Sequence, residues 1–242
     1  MSMRVFNFNP GPAALPLEVL QQAQAELLDY KGTGLSILES SHRSAEYDEI
    51  NESAIALVRE IMGLGDNYHV LFLTGGASTQ FAMIPINFLP DGGTAAYVDT
   101  GAWSAKAIKE AKRVGNVHLA GSSKEKEYRF IPPVDSLDIP SDAAYVHLTS
   151  NNTIAGTEWH DFPDTGSIPL VCDMSSDICS RQMDFSRFAL IYAGAQKNIG
   201  PAGVTLVVLR DDMLARCKDG NFTMLDYRTH AEKKSLFNTP PV

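Results

Sequence analysis

Six short runs of apolar residues, each bounded by glycine, aspartate, serine or threonine, constrain the fold of this chain most strongly. They lie at positions 70–74, 95–99, 143–150, 168–173, 188–194 and 204–210. Runs of this length without polar alternation are typical of strands that are buried on both faces. Segments of helical character, 78–89 and 103–115, follow the first two runs. The order strand, helix, strand, helix predicts an α/β fold in which helices cover a mostly parallel sheet.

Two further helices are predicted before the first strand. Pro16 suits a first helical position, and the amphipathic helix that follows it is expected to continue to Gly32. Its apolar residues recur at helical spacing at Leu20, Ala23, Leu27 and Tyr30. The second helix is expected to begin after Ser44, a good N-cap residue, and to end at Gly63.

Composition excludes several classes of protein. The 242 residues are 44% apolar and 20% charged, which is typical of a globular chain. A net charge of −9 argues against nucleic-acid and anionic-membrane partners, and no run of apolar residues is long enough to span a membrane. The three cysteines form no CxxC pair, so neither a disulfide framework nor a metal site is expected. These features favour a cytoplasmic protein.

The turn after the first run is a candidate phosphate site. Ligands of open parallel sheets bind beyond the carboxyl ends of the strands. Small residues at 75–79 precede a helix there, and the free N–H groups of a helix N-terminus can hold a phosphate. Tight strand-to-helix turns use the same residues for backbone reasons alone. The spacing also differs from GxxxxGK[ST] and GxGxxG, which argues against a nucleotide-binding loop.

Two side chains after later runs add reactive groups to the same edge. Asp173 ends the fourth run, where a carboxylate either caps a turn or serves a ligand. Lys197 follows the fifth run and has small neighbours on both sides. A lysine is rarely buried without a purpose, and an amine whose charged form is destabilised can form a Schiff base with an aldehyde.

Together these features fit the requirements of a pyridoxal phosphate site. Such a site needs a lysine for the Schiff base, a carboxylate that keeps the ring nitrogen protonated, and a cradle for the phosphate. Lys197, Asp173 and the turn at 75–79 each follow a different predicted strand. Trp103, directly after the second run, offers a flat face for the ring, although packing in the core would explain it equally well.

Several segments carry a specific resemblance. FNFNPGPAALP, SHRS, VLFLTGGASTQF, YVDTGAW, IYAGAQKNIGPAGVTLVVLR and FNTPP occur in that order between residues 5 and 241. They resemble the phosphoserine aminotransferases, which are pyridoxal phosphate enzymes of aminotransferase fold type I, class V. The resemblance implies that residues 1–242 form an N-terminal segment plus the large cofactor-binding domain. Family members continue past FNTPP into a smaller C-terminal domain of about a hundred residues, which this chain is expected to lack.

The resemblance also implies a role for each matching position. Lys197 would be the lysine that binds the cofactor and acts in catalysis, Asp173 the partner of the pyridinium nitrogen, and Trp103 the stacking ring. Further cofactor contacts are implied for Ala77, Ser78, Thr153, Gln196, Asn238 and Thr239, the last two from the neighbouring subunit. Arg43, assisted by His42, would bind the anionic group of the substrate.

The implied activity is transfer of the amino group of glutamate to 3-phosphohydroxypyruvate, giving O-phosphoserine and 2-oxoglutarate in serine biosynthesis. The family members are homodimers with active sites at the subunit interface. Two alternatives remain open from the sequence. One is another fold type I pyridoxal phosphate enzyme, and the other is a shortened chain that binds the cofactor or dimerises with little or no catalysis.

Overall fold

A twisted central sheet holds the structure together in the computed structural model, which describes residues 4–238. Within this range the strands are β1 (Tyr68–Leu73), β2 (Thr94–Asp99), β3 (Asn116–Ser122), β4 (Val146–Thr149), β5 (Asn151–Asn152), β6 (Thr157–Glu158), β7 (Leu170–Asp173), β8 (Leu190–Gly194) and β9 (Thr205–Arg210). Seven of them form one sheet in the order β1-β9-β8-β7-β4-β2-β3, and β5 pairs with β6 in a small hairpin. The mostly parallel, helix-covered sheet that the sequence predicts is confirmed.

The direction of the strands decides where a site can form. The pairs β3/β2, β2/β4, β4/β7 and β7/β8 are parallel. Because β9 runs antiparallel to both β8 and β1, β1 points the same way as the parallel set. The carboxyl ends of β1, β8, β7, β4 and β2 therefore lie along one edge of the sheet.

Helices cover the two faces of the sheet. They are α1 (Leu17–Glu26), α2 (Ala45–Met62), α3 (Gly76–Phe88), α4 (Ala102–Ala111), α5 (Asp211–Leu214) and α6 (Tyr227–Glu232). On one face, α3 to α6 pack over a core that includes Phe81, Tyr192 and Tyr227. On the other face, α2 and the loops around Trp159 and Phe185 cover a second core. No helix among residues 4–238 combines the length and apolar character that crossing a bilayer requires.

The strand boundaries agree with the predicted runs to within a few residues, and α2 begins after Ser44 as expected. The Ser44 hydroxyl accepts a hydrogen bond from the Tyr47 N–H, and Gly63 ends the helix in the left-handed region at φ 61°. The prediction for the first helix is wrong at its end, because α1 stops at Glu26 and not near Gly32.

No residue of α1 is buried, so packing against this chain does not extend the helix. Apolar side chains of α1 and of the arm before it face outward. Phe6 is 91% exposed and Phe8 is 90% exposed, and Leu17, Val19 and Leu20 of α1 are each at least 40% exposed. Exposed apolar side chains of this kind mark a surface that another molecule can cover.

Candidate functional site

A cavity opens at the carboxyl edge of the sheet, where the loops after five strands meet. Its lining comprises Ala77, Trp103, Thr149, Asn151, Thr153, Asp173, Ser175, Ser176, Gln196 and Lys197. Ala77 follows β1, Trp103 follows β2, and Lys197 follows β8. Parallel strands thus collect residues that are up to 120 positions apart in sequence, from 77 to 197.

Lys197 is half-buried in the turn after β8, and its ammonium donates a hydrogen bond to Thr153 Oγ1. Burial lowers the pKa of Lys197 below the ordinary value of a lysine, and the negative charges of Asp173 and Asp177 oppose this shift. A lysine with a lowered pKa has a larger fraction of neutral, nucleophilic amine at neutral pH. Lys197 is therefore suited to react with an aldehyde.

Asp173 ends β7 and is only 3% exposed. Its Oδ1 accepts hydrogen bonds from the Ser175 N–H at 3.0 Å and from the Ser175 hydroxyl at 2.6 Å. Burial raises the pKa of Asp173, whereas Ser175 and the charge of Lys197 lower it. A buried carboxylate held in this way can accept a hydrogen bond from a protonated heterocycle.

Trp103 lies in the first turn of α4 and packs at the border of the core and the cavity. The ammonium of Lys106, three residues further along α4, lies 4.0 Å from the centroid of the Trp103 ring. A cation over the ring stabilises the orientation of the indole. Trp103 thus presents an aromatic surface to the cavity.

The first turn of α3 has backbone donors at the same edge. Gly75 at its N-cap has φ 90° and makes no side-chain cap hydrogen bond. An added Cβ at Gly75 would lie 2.0 Å from Thr79 Oγ1, so the turn requires glycine. Ala77 lines the cavity, but Ser78 is exposed and does not line it.

The N-terminal arm contacts the lysine turn directly. The Ala13 N–H donates to the Gln196 carbonyl at 2.8 Å. Gly11 has φ 152°, and a Cβ at this position would lie 3.1 Å from Lys197 Cγ. The arm thus limits the space around the lysine, an effect that the sequence pattern alone does not indicate.

Some of the predicted residues lie elsewhere. Arg43 is exposed, His42 is partly buried, and neither lines the cavity that holds Lys197. Asn238 is exposed and also lies outside the lining. Thr239 falls outside the described residues. The roles suggested for these residues remain predictions.

Four lining residues were not predicted from the sequence: Thr149, Asn151, Ser175 and Ser176. All of them lie within three residues of a strand end, which is the signal that would have identified them. The Ser176 hydroxyl donates to the Asn151 carbonyl at 2.9 Å, and this bond links the loops after β4 and β7. Polar residues in the loops after strands thus also fix the loops to one another.

Comparison with known proteins gives one consistent result. The sequence matches the family described as aminotransferase class-V over residues 5–242. The phosphoserine aminotransferase of Desulfosudis oleivorans is 57% identical over 242 residues, which are 100% of this chain and 66% of the relative. The phosphoserine aminotransferase of Pseudomonas aeruginosa is 55% identical over 99% of this chain and 66% of its own length. The chain thus spans about 66% of the length of these curated relatives.

Solved structures agree with the sequence comparison. A phosphoserine aminotransferase from Bacillus circulans subsp. alkalophilus superposes with a TM-score of 0.96 at 54% identity, covering 99% of this chain and 66% of that one. A pyridoxal phosphate-bound phosphoserine aminotransferase from Trichomonas vaginalis gives a TM-score of 0.89 at 37% identity, covering 98% of this chain and 67% of that one.

Removal of the Asp173 charge should lower the pKa of Lys197 further. The carboxylate favours the ammonium form, so Asp173→Asn removes one of two charges that raise the pKa and leaves burial opposed only by Asp177. Competitive acetylation of Lys197 across pH, followed by mass spectrometry, measures this pKa. Asp135→Asn, which removes an exposed carboxylate, is the matched control and should leave the profile unchanged. An unchanged or raised midpoint in Asp173→Asn would contradict the electrostatic description of the site.

Proposed function

The chain belongs to the aminotransferase class-V family, and from this membership we propose that it is the cofactor-binding part of a phosphoserine aminotransferase. The proposed reaction transfers the amino group of glutamate to 3-phosphohydroxypyruvate and forms O-phosphoserine and 2-oxoglutarate, as in serine biosynthesis. One observation gives the proposal its main support. The amine of Lys197 and the carboxylate of Asp173 line one cavity in a chain that is 57% identical to an enzyme of that name.

The lining of the cavity fits pyridoxal phosphate as the cofactor. It combines a half-buried amine of lowered pKa, a buried carboxylate held by Ser175, and an indole face. These are the groups that this cofactor requires. The uncapped first turn of α3 adds backbone N–H groups suited to a phosphate.

Each cofactor-binding residue predicted from the sequence has a proposed task. Lys197 would attach the cofactor, Asp173 would pair with its ring nitrogen, and Trp103 would cover one face of the ring. Thr153, whose hydroxyl contacts the Lys197 amine, would lie near the ring hydroxyl. Phosphate contacts are proposed for Ala77, Ser78 and Gln196 and, from a neighbouring subunit, for Asn238 and Thr239.

Pyridoxal phosphate, when bound, supplies the aldehyde that takes up the amino group and a ring that accepts electrons. The protein groups supply proton transfer and binding. Because burial lowers its pKa, Nζ of Lys197 can act as the base that removes the α-proton of glutamate. The buried carboxylate of Asp173 would keep a proton on the ring nitrogen.

The substrate's anionic group would be bound by Arg43, assisted by His42. A guanidinium suits carboxylate and phosphate because its fork of N–H groups can form two parallel hydrogen bonds. Neither residue lines the cavity of its own chain, and we propose that a second copy delivers them. The proposed assembly is therefore a homodimer with shared active sites.

The exposed apolar residues of the N-terminal arm and α1 support a second copy as the partner. We expect light scattering of the purified chain to give twice its 26.4 kDa mass. Replacement of Phe8, which is 90% exposed, by glutamate should shift the population toward the monomer. A monomer at all concentrations for the unmodified chain would contradict the shared site.

A cytoplasmic location and a division into an N-terminal segment and a large domain are proposed as well. A cytoplasmic location is supported by three free cysteines, two of them buried. A net charge of −9 gives no support for a nucleic-acid or anionic-membrane partner. Residues 1–242 are proposed to form the N-terminal segment and large domain, and the further third of the relatives' length would correspond to the family's small domain.

A cofactor and product assay with a lysine variant tests the proposed function. The chain, mixed with pyridoxal phosphate, glutamate and 3-phosphohydroxypyruvate, should yield O-phosphoserine that is detectable by mass spectrometry. Lys197→Ala should abolish the visible absorbance of the covalently bound cofactor and lower turnover by about 10³-fold or more. Lys112→Ala, an exposed lysine of the α4 region, is the control that should change neither quantity.

Two results would contradict the proposal. One is cofactor binding without any O-phosphoserine, which would favour a binding chain without catalysis. The other is faster amination of pyruvate or glyoxylate than of 3-phosphohydroxypyruvate, which would favour another fold type I enzyme.

A further inference from the structure

A buried tyrosine lies directly beside the carboxylate of the candidate site. Tyr192 on β8 and Asp173 on β7 are register partners in parallel strands, so their side chains project to the same face of the sheet. Tyr192 is 0% exposed, and its ring packs edge-on against Phe81 at a centroid distance of 6.1 Å. Burial raises the pKa of Asp173, and the Tyr192 hydroxyl, as a hydrogen-bond partner of the carboxyl, is one of the groups that oppose this shift.

His147 on β4 holds the same hydroxyl from the other side. Its Nε2 lies 2.8 Å from Tyr192 Oη, and the ring of Tyr97 stacks on the imidazole at 4.7 Å. Burial lowers the pKa of His147 to about 3, so the ring is neutral and carries one proton. The direction of the hydrogen bonds depends on which nitrogen carries that proton.

The surroundings of His147 assign the proton to Nε2. Its Nδ1 is buried and has no well-aligned hydrogen-bond partner within residues 4–238, although the backbone of His147 itself lies close enough to raise the pKa. A proton on Nδ1 would leave a buried N–H group without a well-aligned acceptor, which costs more than a bare lone pair. With the proton on Nε2, His147 donates to Tyr192, and the Tyr192 hydroxyl proton is directed to Asp173.

The other buried tyrosines on this face use their hydroxyls differently. Tyr97 and Tyr145 bond to each other at 2.9 Å, and the Tyr227 hydroxyl donates to Gln80 at 2.5 Å. Both arrangements satisfy buried polar groups without reaching the cavity. Among these four tyrosines, Tyr192 alone connects the core to the carboxylate of the site.

We propose that Tyr192, oriented by His147, is a positioning residue that holds the Asp173 carboxylate ionised and aimed at the ring nitrogen of the cofactor. This inference rests on the proposed function, because only a bound heterocycle gives the carboxylate a partner in the cavity. Ser175 holds Asp173 by a hydrogen bond from the cavity side, and Tyr192, its register partner, lies on the core side.

Other ionisable groups near Asp173 also influence its pKa. Lys197 faces it from the turn after β8, Asp177 from the loop after β7, and Cys172 precedes it in β7. Tyr192→Phe changes none of these groups and keeps the packing against Phe81. It removes the donor from the core side, together with the acceptor of the His147 Nε2–H, so the protonated form of Asp173 should become relatively more stable.

Carboxyl ¹³C NMR of the cofactor-free, aspartate-labelled chain tests the inference, with the Asp173 resonance assigned by its loss in Asp173→Asn. In Tyr192→Phe the midpoint of the Asp173 titration should rise by about one pH unit, as expected for the loss of one hydrogen bond to a charged group. Tyr145→Phe, which removes an equally buried hydroxyl from the Tyr97 pair, should leave the midpoint unchanged. No shift in Tyr192→Phe, or equal shifts in both variants, would overturn the inference.

A second readout uses the chain loaded with pyridoxal phosphate that carries ¹⁵N in its ring. Tyr192→Phe should move the ring ¹⁵N resonance toward that of neutral pyridine, and Tyr145→Phe should not. If Tyr192→Phe does not fold, His147→Gln and His147→Leu decide the question. Glutamine can still donate an N–H to Tyr192, so its Asp173 midpoint should stay nearer the unmodified value than that of leucine, and identical midpoints would overturn the inference.

The proposed function and the positioning role of Tyr192 can be tested independently. The carboxyl titration requires no cofactor, so it reports on Tyr192 even if pyridoxal phosphate does not bind. Loss of O-phosphoserine formation with a normal Asp173 response would contradict the proposed function and leave the positioning effect intact.

Discussion

The parallel alignment of β1, β2, β4, β7 and β8 is the constraint on which the site depends. Because these strands share a direction, the residues that follow them meet at one edge of the sheet. In an antiparallel meander, successive strand ends would alternate between opposite edges, and Asp173 and Lys197 could not approach each other by the same route. Burial on both faces holds this alignment in place, since each strand packs against helices or loops on either side.

Opposing electrostatic effects give the site its chemical character. Burial favours the neutral form of both Lys197 and Asp173, and the attraction between their charges favours the ionised forms. Hydrogen bonds from Ser175 support only the carboxylate, whereas the amine has no comparable set of acceptors among its described contacts. The asymmetry leaves an amine that gives up its proton more readily than an ordinary lysine, next to a carboxylate that is held in one orientation.

Much of the fold and part of the site could be predicted from the sequence because apolar runs report burial directly. The capping residue Ser44 predicted the start of α2, and the positions of Asp173 and Lys197 after their runs predicted the edge of the sheet. Strand β3 was not predicted from the sequence. Its side chains are only partly buried, so polar residues interrupt the apolar run. Roles for Arg43, His42 and Asn238 came from resemblance alone, and in one chain these residues lie away from the cavity. The Tyr192 and His147 pairing depends on strand order in the sheet, which periodicity along the chain does not encode.

The central claim is that one amine at the carboxyl edge of the sheet is placed to bind an aldehyde. The most direct measurement loads the chain with pyridoxal phosphate, reduces the product with borohydride, and maps the modified lysine by peptide mass spectrometry. We predict that the phosphopyridoxyl group is found on Lys197, at close to one per chain. A label distributed over exposed lysines such as Lys109 and Lys124, with Lys197 unmodified, would contradict it.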